Sequence, residues 1–406
     1  MSERAPEVPA LRNPTVLGVG LASLLSDTGH EMATAALPGF LSQIGASAAA
    51  LGAIEGIADG ALSTSKVVGG VLADRPGADR AKIAAAGYLV TGLGYGSFAL
   101  ANSWPAVAVG RAVAWAARGA RTPAREAILA GAVPREQLGR AFGVERAGDS
   151  LGAILGPLLA AALLGAVGYR WLFAISVLPA LGAALAILLV GRGVRRAVPV
   201  ARQALATLHD LARAPGRFRS LLAGVGLYGL GNFSATLLVL RATDVLAGEG
   251  WSHTSAAQAA VLLYAAHNAA NAAAAYPAGA LADATSRRLV LVAGILLFAL
   301  ACAAFALEPT SVSVLGLLFV AVGASTGMVE TAQGSHAAEL VPEHLRGRAY
   351  GLIGLVDGIG DLVSSVVVGT LWTVVSPAWG FGYAAVLSAL GALALVPGLR
   401  RAAPTD

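Results

Sequence analysis

The sequence predicts an all-α integral membrane protein whose twelve transmembrane helices form two pseudo-symmetric halves of six. Composition, a series of long apolar segments and an internal repeat support this fold class. Hydrophobic residues make up 56% of the 406-residue chain and charged residues only 13%, against roughly 25% charged residues in a soluble domain. The mean hydropathy is +0.71. Such a chain cannot cover itself with a water-compatible surface, so we expect it to lie in a lipid bilayer.

Apolar segments that could cross the bilayer as helices recur along the whole chain. A crossing needs about 20 residues of helix. The twelve segments are named spans 1 to 12 and cover residues 14–42, 49–73, 82–102, 104–130, 138–166, 169–191, 218–246, 254–282, 288–306, 310–340, 344–375 and 378–399. Their continuous runs exclude a β-barrel, whose strands alternate over about ten residues.

Two short passages recur almost unchanged later in the chain. Gly70–Asp74 returns as Gly279–Asp283 at an offset of 209 residues, and Val133–Gly143 returns as Val341–Gly351 at an offset of 208. Because both passages recur at nearly the same offset, the chain is expected to consist of two equivalent halves. Repeated halves in a membrane chain usually enclose a substrate path.

The repeat divides the chain at one basic linker. We predict an N-terminal half over 1–191, a cytoplasmic linker over 192–217 and a C-terminal half over 218–406. Residues 200–214 of the linker either form a basic amphipathic helix on the membrane surface or serve only as a tether. No soluble domain is inserted.

Basic residues predict the orientation. If both termini are cytoplasmic, the inner loops and ends hold twenty Lys or Arg residues, whereas the outer connections hold only Arg170. This bias follows the positive-inside rule and places the chain in a cell inner membrane. The first residues lack the features of a signal peptide, so span 1 is expected to remain as an anchor.

Several partners and cofactors are not expected. Cys302 is the single cysteine, so neither a disulfide nor a thiolate metal site is predicted. No basic cluster forms a separate domain, which argues against nucleic-acid binding. The expected partners are lipid, protons and a small-molecule substrate, with no cofactor and no metal, and the chain is expected to be a monomer.

The loop after span 2 carries a first recognisable motif. It reads Gly70-Val-Leu-Ala-Asp74-Arg75-Pro-Gly77, and it resembles the signature loop between helices 2 and 3 of the major facilitator superfamily. In that family the loop is implied to control conformational exchange. The resemblance therefore predicts a conformational latch at Gly70, Asp74, Arg75 and Gly77, with Gly279 and Asp283 as its counterparts in the second half.

Spans 4 and 5 extend the resemblance. Arg111 in span 4 is followed by Gly119 and Pro123 at the intervals of the second motif of the superfamily. Span 5 carries Gly152-x-x-x-Gly156-Pro157, which is similar to the motif of its exporters and antiporters. The resemblance covers the whole chain and implies proton-coupled export, with the arginine matching Arg111 implicated in proton coupling.

Ionisable residues inside the predicted spans are candidate functional groups, because burying a charge in a bilayer is costly. Helical spacings of three and four place those of span 1 on one face, and those of span 2 likewise. The candidates for proton coupling are Asp27, His30, Glu31, Glu55, Asp59 and Arg111. Depth along the helices suggests an outer cluster of Arg111, Glu31 and Glu55. The alternative is that paired charges only fix the helix packing.

Polar and aromatic residues elsewhere in the spans are candidates for binding a substrate. They can offer hydrogen bonds or charge to a ligand, or hydrogen bonds between helices. These candidates are Arg118, Trp115, Asn232, His267, Asn268, Asn271, Glu330 and Asp357. The arginines of span 4 admit an anionic or zwitterionic substrate if carboxylates do not neutralise all of them.

The sequence favours a secondary transporter over three other classes. A membrane enzyme would need a catalytic constellation, and no Walker loop, His-Glu-x-x-His or Gly-x-Ser-x-Gly motif occurs. A channel does not need duplicated motif-bearing halves, and a receptor would more naturally carry a soluble domain. Proton-coupled efflux is the preferred direction, and proton-coupled import of an organic anion or nutrient is the alternative.

Overall fold

The computed structural model describes residues 9–73, 75, 77–191, 216–341 and 346–396. Helices account for most of these residues. The α-helices are α1 (Pro14–Gln43), α2 (Ala48–Ala73), α3 (Arg80–Gly96), α4 (Trp104–Ala132), α5 (Leu138–Ile175), α6 (Val177–Gly191), α7 (Gly216–Gly229), α8 (Thr236–Gly248), α9 (His253–Ala284), α10 (Arg287–Ala306), α11 (Val312–Leu340), α12 (Arg346–Val374) and α13 (Pro377–Leu395). Short 3-10 helices lie at Ala10–Arg12, Ser97–Leu100 and Arg135–Gln137.

These helices make the twelve predicted crossings. Spans 1 to 4 are α1 to α4, and spans 8 to 12 are α9 to α13. Within α5 the backbone turns at Gly168, whose φ of 73° is left-handed and so favours glycine. Span 5 therefore ends there, and span 6 is the rest of α5 with α6. The linker at 192–215, with its predicted amphipathic segment, lies outside the described residues.

Six stretches of the described chain are long and apolar enough to cross a membrane by length and composition. They are Arg80–Leu100, Leu138–Gly191, Arg287–Ala306, Val312–Leu340, Ala349–Val374 and Pro377–Leu395. The second stretch has 54 residues and holds two spans. Spans 1, 2, 4, 7 and 8 do not meet this criterion of length and apolar composition. Each of these five spans contributes residues to the central cavity described below.

Span 7 differs from the prediction of one continuous helix, because it is broken between α7 and α8. Its unwound backbone is held by two serines of span 11. The Ser364 hydroxyl donates to the carbonyl oxygen of Asn232 at 2.6 Å, and the backbone N–H of Ser234 donates to the Ser365 hydroxyl at 3.0 Å. Non-helical backbone is tolerated at membrane depth only where such partners replace the missing helical bonds.

The two halves meet along two equivalent interfaces. Span 2 packs along span 11, where a Cβ added at Gly56 would lie 2.8 Å from the carbonyl oxygen of Leu362. Span 5 packs along span 8, where the Gln258 amide donates to the carbonyl oxygen of Ala161 at 2.8 Å. Since the repeat pairs span 2 with span 8 and span 5 with span 11, the interfaces are related by the pseudo-symmetry.

The halves are closed on the predicted outer side and separated on the inner side. Span 1 packs against α8 of span 7 near the outer ends. In the described residues, spans 4 and 10 make no extensive contact. Arg146 of span 5 interacts electrostatically with Glu330 of span 10 in the other half, and Arg146 also interacts with Lys66 and Glu126 in its own half. All four side chains are exposed. If both termini are cytoplasmic, as the sequence predicts, this arrangement is inward-facing.

The predicted latch is only partly described. Asp74 lies outside the described residues, whereas Gly77 has a left-handed φ of 78°, which favours glycine in this loop. Asp79 caps α3 by accepting from the Lys82 backbone N–H at 3.1 Å, and this bond lowers the pKa of the Asp79 carboxyl. In the second half, Arg287 bridges Asp283 at 3.3 Å and Glu339 at 3.1 Å.

The glycines of the span 5 motif allow close packing against span 1. A Cβ added at Gly152 would lie 2.5 Å from the carbonyl oxygen of Leu24, and one at Gly156 would lie 2.6 Å from that of Thr28. The added Cβ at Gly156 would also lie 2.8 Å from the Cβ of Glu31. The motif thus fixes the position of an ionisable residue of span 1.

Gly156→Ala is expected to destabilise the protein and to impair transport, because the extra methyl must push span 1 away from span 5. Overpacking of this kind typically costs about 1–3 kcal/mol. Thermal unfolding of the purified protein in detergent measures the effect. Gly143→Ala is the matched control in the same helix, since an added Cβ there meets no atom within 4 Å. Equal melting temperatures for the two variants would contradict the close-packing role.

Candidate functional site

A cavity of about 190 Å³ lies between the two halves near the middle of the spans. It is lined by residues of spans 1, 2, 4, 7, 8 and 11. These residues are His30, Glu31, Thr34, Glu55, Asp59, Arg111, Trp115, Asn232, Phe233, Ser234, Thr236, Tyr264 and Asp361. A cavity of this size is slightly larger than one of 150 Å³ that binds benzene, so it can hold a small organic molecule.

Arg111 forms a buried charge pair with Glu55 in the wall of the cavity. Its guanidinium donates to the Glu55 carboxylate at 2.7 Å, to the Thr34 hydroxyl at 2.8 Å and to the Tyr95 hydroxyl at 3.0 Å. The side chains of Arg111 and Glu55 are 1% and 2% exposed. The Trp115 ring lies 5.1 Å from the guanidinium. Arg111 and Glu55 are therefore mutually neutralised.

Arg118 is also neutralised by a carboxylate, that of Asp27, but neither side chain lines the cavity. It donates to Asp27 at 3.2 Å and to Nδ1 of His30 at 2.9 Å. Because Nδ1 of His30 accepts this bond, the imidazole must be neutral with its proton on Nε2. His30 lines the cavity, whereas Asp27 and Arg118 do not.

Deeper arginines of span 4 also lie outside the cavity. Arg125 pairs with Glu145 and lies 3.5 Å from Asp149, which ties span 4 to span 5. Arg121 has hydroxyl partners, Ser26 at 3.0 Å and Thr91 at 3.2 Å, and its guanidinium lies 4.0 Å from the centre of the Tyr88 ring. These contacts join spans 1, 3, 4 and 5, so this group holds the N-terminal half together.

Glu31 connects the two halves. Its carboxylate accepts a hydrogen bond from the Tyr264 hydroxyl of span 8 at 2.9 Å and lies 3.4 Å from Nδ1 of His30. No described arginine forms an ion pair with it. A change of protonation at Glu31 would therefore act directly on a contact between the halves.

Asp59 and Asp361 bring two further carboxylates to the cavity, one from each half. Asp361 accepts from the Asn232 amide of span 7 at 3.0 Å, and Asn232 in turn accepts from the Tyr228 hydroxyl at 3.3 Å. Among the described residues, the Asp59 carboxylate forms no ion pair or hydrogen bond. The two carboxylates interact electrostatically across the cavity.

The structure brings together five of the six residues predicted for proton coupling. His30, Glu31, Glu55, Asp59 and Arg111 line the cavity, and Arg111 lies beside Glu55 as the depths along the helices predict. Glu31 belongs to the same cavity, but it bonds Tyr264 rather than Arg111.

Of the eight residues predicted for substrate binding, Trp115 and Asn232 line the cavity. The other six lie elsewhere. Arg118 pairs with Asp27, and His267 stacks on Tyr264 with the ring centres 5.8 Å apart. The remaining four pack between helices or face the inner opening: Asn268 donates to Ala153, Asn271 packs against Gly327, Glu330 is exposed and Asp357 accepts from Gln333.

Several lining residues are absent from the predicted set. Thr34, Phe233, Ser234, Thr236, Tyr264 and Asp361 line the cavity but were not predicted to. Asp361 is the exception that the sequence could have indicated, because it is an ionisable residue inside span 11. The others belong to ordinary polar and aromatic types, and those between 232 and 236 lie at the break in span 7.

The family model described as Major Facilitator Superfamily matches residues 19–261 and, in a second match, 221–406. The chain belongs to the major facilitator superfamily. An uncharacterized MFS-type transporter of Methanocaldococcus jannaschii is 26% identical over 378 residues, covering 93% of each chain. The protein is thus a multi-pass membrane transporter of this superfamily, and not an enzyme.

Two solved structures share the superfamily fold. A nucleoside transporter, NupG, superposes with a TM-score of 0.78 at 14% identity, covering 94% of this chain and 99% of the other. A bacterial homolog of the human lysosomal transporter Spinster, in an inward-facing and occupied conformation, gives a TM-score of 0.76 at 16% identity, with coverages of 95% and 96%. These likenesses establish the fold.

The Arg111–Glu55 pair is expected to show strong coupling in a double-mutant cycle. Arg111→Met or Glu55→Gln leaves a buried charge without its partner, which typically costs about 3–5 kcal/mol. The double variant should lose less than the sum of the two, because neither charge remains. Thermal unfolding in detergent gives the three differences.

Glu308→Gln is the control for this cycle. Glu308 lies 3.8 Å from Arg241 and its side chain is 49% exposed, so its loss should change stability by at most about 1 kcal/mol. Additive effects of the Arg111 and Glu55 substitutions would contradict the assignment of a mutually neutralised pair.

Proposed function

We propose that this superfamily member is a proton-coupled exporter that moves a small molecule by alternating access of the central cavity to the two membrane faces. It would act as a monomer in the inner membrane, with both termini in the cytoplasm. The observation that carries the proposal is that Glu31, a carboxylate without an arginine partner, accepts a hydrogen bond from Tyr264 of the other half.

The carboxylate at Glu31 supplies a chemical reason for coupling. When ionised it accepts the Tyr264 bond strongly, since charge-assisted hydrogen bonds are stronger than neutral ones. When protonated it is a weaker acceptor, and the contact between spans 1 and 8 is loosened. Proton binding and rearrangement of the halves then become linked equilibria. Glu31 contacts His30 and Tyr264 directly, and the charges of Asp27, Arg111 and Arg118 also act on it.

The support for an outward direction is the span 5 motif, which resembles that of exporters and antiporters. Gly156 of this motif packs against the backbone of span 1 beside Glu31. The motif is therefore placed where it can influence the proposed coupling residue. Proton-coupled import of a nutrient or organic anion is the alternative outcome of the experiment below.

Proton movement in proteoliposomes tests the proposal. The parent protein, reconstituted with a pH-sensitive dye in the lumen, should move protons when cationic, zwitterionic or anionic compounds from a panel are added. Glu31→Gln should abolish this proton movement while exchange of labelled compound continues. Tyr264→Phe should weaken the coupling, because the bond to Glu31 is lost. Glu249→Gln, at an exposed outer-loop carboxylate, should behave as the parent.

The direction of coupling follows from the sign of the signal. Protons moving against the compound indicate export by exchange, whereas protons moving with the compound indicate the import alternative. Exchange of compound without proton movement in the parent would contradict coupling. Retention of full proton movement in Glu31→Gln would contradict the role of Glu31.

A further inference from the structure

The cavity contains more negative than positive charge. Four carboxylates line it, those of Glu31, Glu55, Asp59 and Asp361, and Arg111 is the one arginine or lysine among the lining residues. Arg111 is already paired with Glu55. The arginines Arg118 and Arg125 are paired with carboxylates outside the cavity. Three lining carboxylates therefore have no arginine or lysine partner.

The equivalent interface of spans 5 and 8 joins the halves without carboxylates at the matching positions. The offset of 209 residues places Asn268 at the position equivalent to Asp59, and the offset of 208 places Ala153 at that equivalent to Asp361. In that matched interface the Asn268 amide donates to the carbonyl oxygen of Ala153 at 2.7 Å. A neutral contact thus joins the halves there, whereas two acids face the cavity at the interface of spans 2 and 11.

The cavity wall also contains a buried hydrogen-bond acceptor that has no donor. One carboxylate oxygen of Glu55, Oε1, has no hydrogen-bond partner among the described residues, although the side chain is 2% exposed. A buried acceptor without a partner is costly, and a donor on a bound ligand would satisfy it. The aromatic side chains of Trp115, Phe233 and Tyr264 supply apolar and π surfaces beside it.

We propose that the cavity binds a small organic amine in its cationic form, held between Asp59 of one half and Asp361 of the other. The ammonium group offers donors and positive charge to these carboxylates, and its organic part packs on the aromatic walls, where cations are also attracted to ring faces. The described residues contain no cluster of three or more candidate ligands that could hold a metal ion, which favours an organic cation over an inorganic one. This inference rests on the proposed transport function and specifies its substrate class.

The test compares three probes of similar size in ligand-observed NMR binding experiments with the full-length protein. 2-Phenylethylamine is the cation, 2-phenylethanol the neutral analogue and 3-phenylpropionate the anion. The amine should bind at least about tenfold more tightly than either analogue, since one charge-assisted contact contributes that much. Asp59→Asn and Asp361→Asn should each weaken amine binding by about tenfold, with little effect on 2-phenylethanol.

Controls separate a site effect from a folding effect. Glu249→Gln should bind the amine as the parent does, and melting temperatures should show that the two amide variants remain folded. Equal binding of amine and alcohol, preferential binding of the anion, or no binding of the amine at millimolar concentration would overturn the proposal.

The two proposals fail in different ways. If the amine binds through Asp59 and Asp361 but no compound moves protons, the substrate class stands and proton coupling fails. If protons move with neutral or anionic compounds while the amine does not bind, coupling stands and the substrate class fails.

Discussion

The structure depends on neutralising the arginines of span 4 inside the membrane. Unpaired charges there are costly, and three of the arginines have carboxylate partners: Arg111 pairs with Glu55, Arg118 with Asp27, and Arg125 with Glu145. The partners come from spans 2, 1 and 5, so the pairs hold the helices of the N-terminal half together. This pairing also determines which charges remain available in the cavity. The cavity carboxylates without an arginine partner are those of Glu31, Asp59 and Asp361, which lie between the two halves.

The C-terminal half supplies shape and hydrogen bonds to the cavity rather than buried charge pairs. Breaking span 7 exposes the side chains around Asn232 and Ser234 to the cavity, and Ser364 and Ser365 of span 11 satisfy its unwound backbone. A broken helix beside a binding site is a recurring solution in transporters. One half is therefore organised by buried ion pairs, and the other by an irregular segment.

The sequence predicts the fold in detail and the site in part. Apolar length, basic-residue asymmetry and the repeat predict all twelve spans, and depth along two helices predicts that Arg111 lies near Glu55. Spacing within a helix does not give its partners in the other half, so the contact of Glu31 with Tyr264 was not predicted. The break in span 7 was also missed, because its stabilising serines lie about 130 residues away in the chain. Asn268 and Asn271, which the sequence predicts as substrate-binding candidates, pack between helices instead, because a polar side chain in a span can serve either purpose.

The central claim is that the unpaired cavity carboxylates link proton binding to the arrangement of the halves. Double electron–electron resonance (DEER) spectroscopy tests this claim most directly. It measures the distance between spin labels at Gly139→Cys and Gly334→Cys, near the inner ends of spans 5 and 10. The buried Cys302 would be replaced by Ala so that only these two positions are labelled. Both glycines face open space, so labels fit there. The account predicts inner-open and inner-closed populations whose ratio changes with pH, and a pH-independent ratio when Glu31, Asp59 and Asp361 are all replaced by amides. A pH-independent ratio in the parent, or an unchanged pH response in the amide variant, would contradict it.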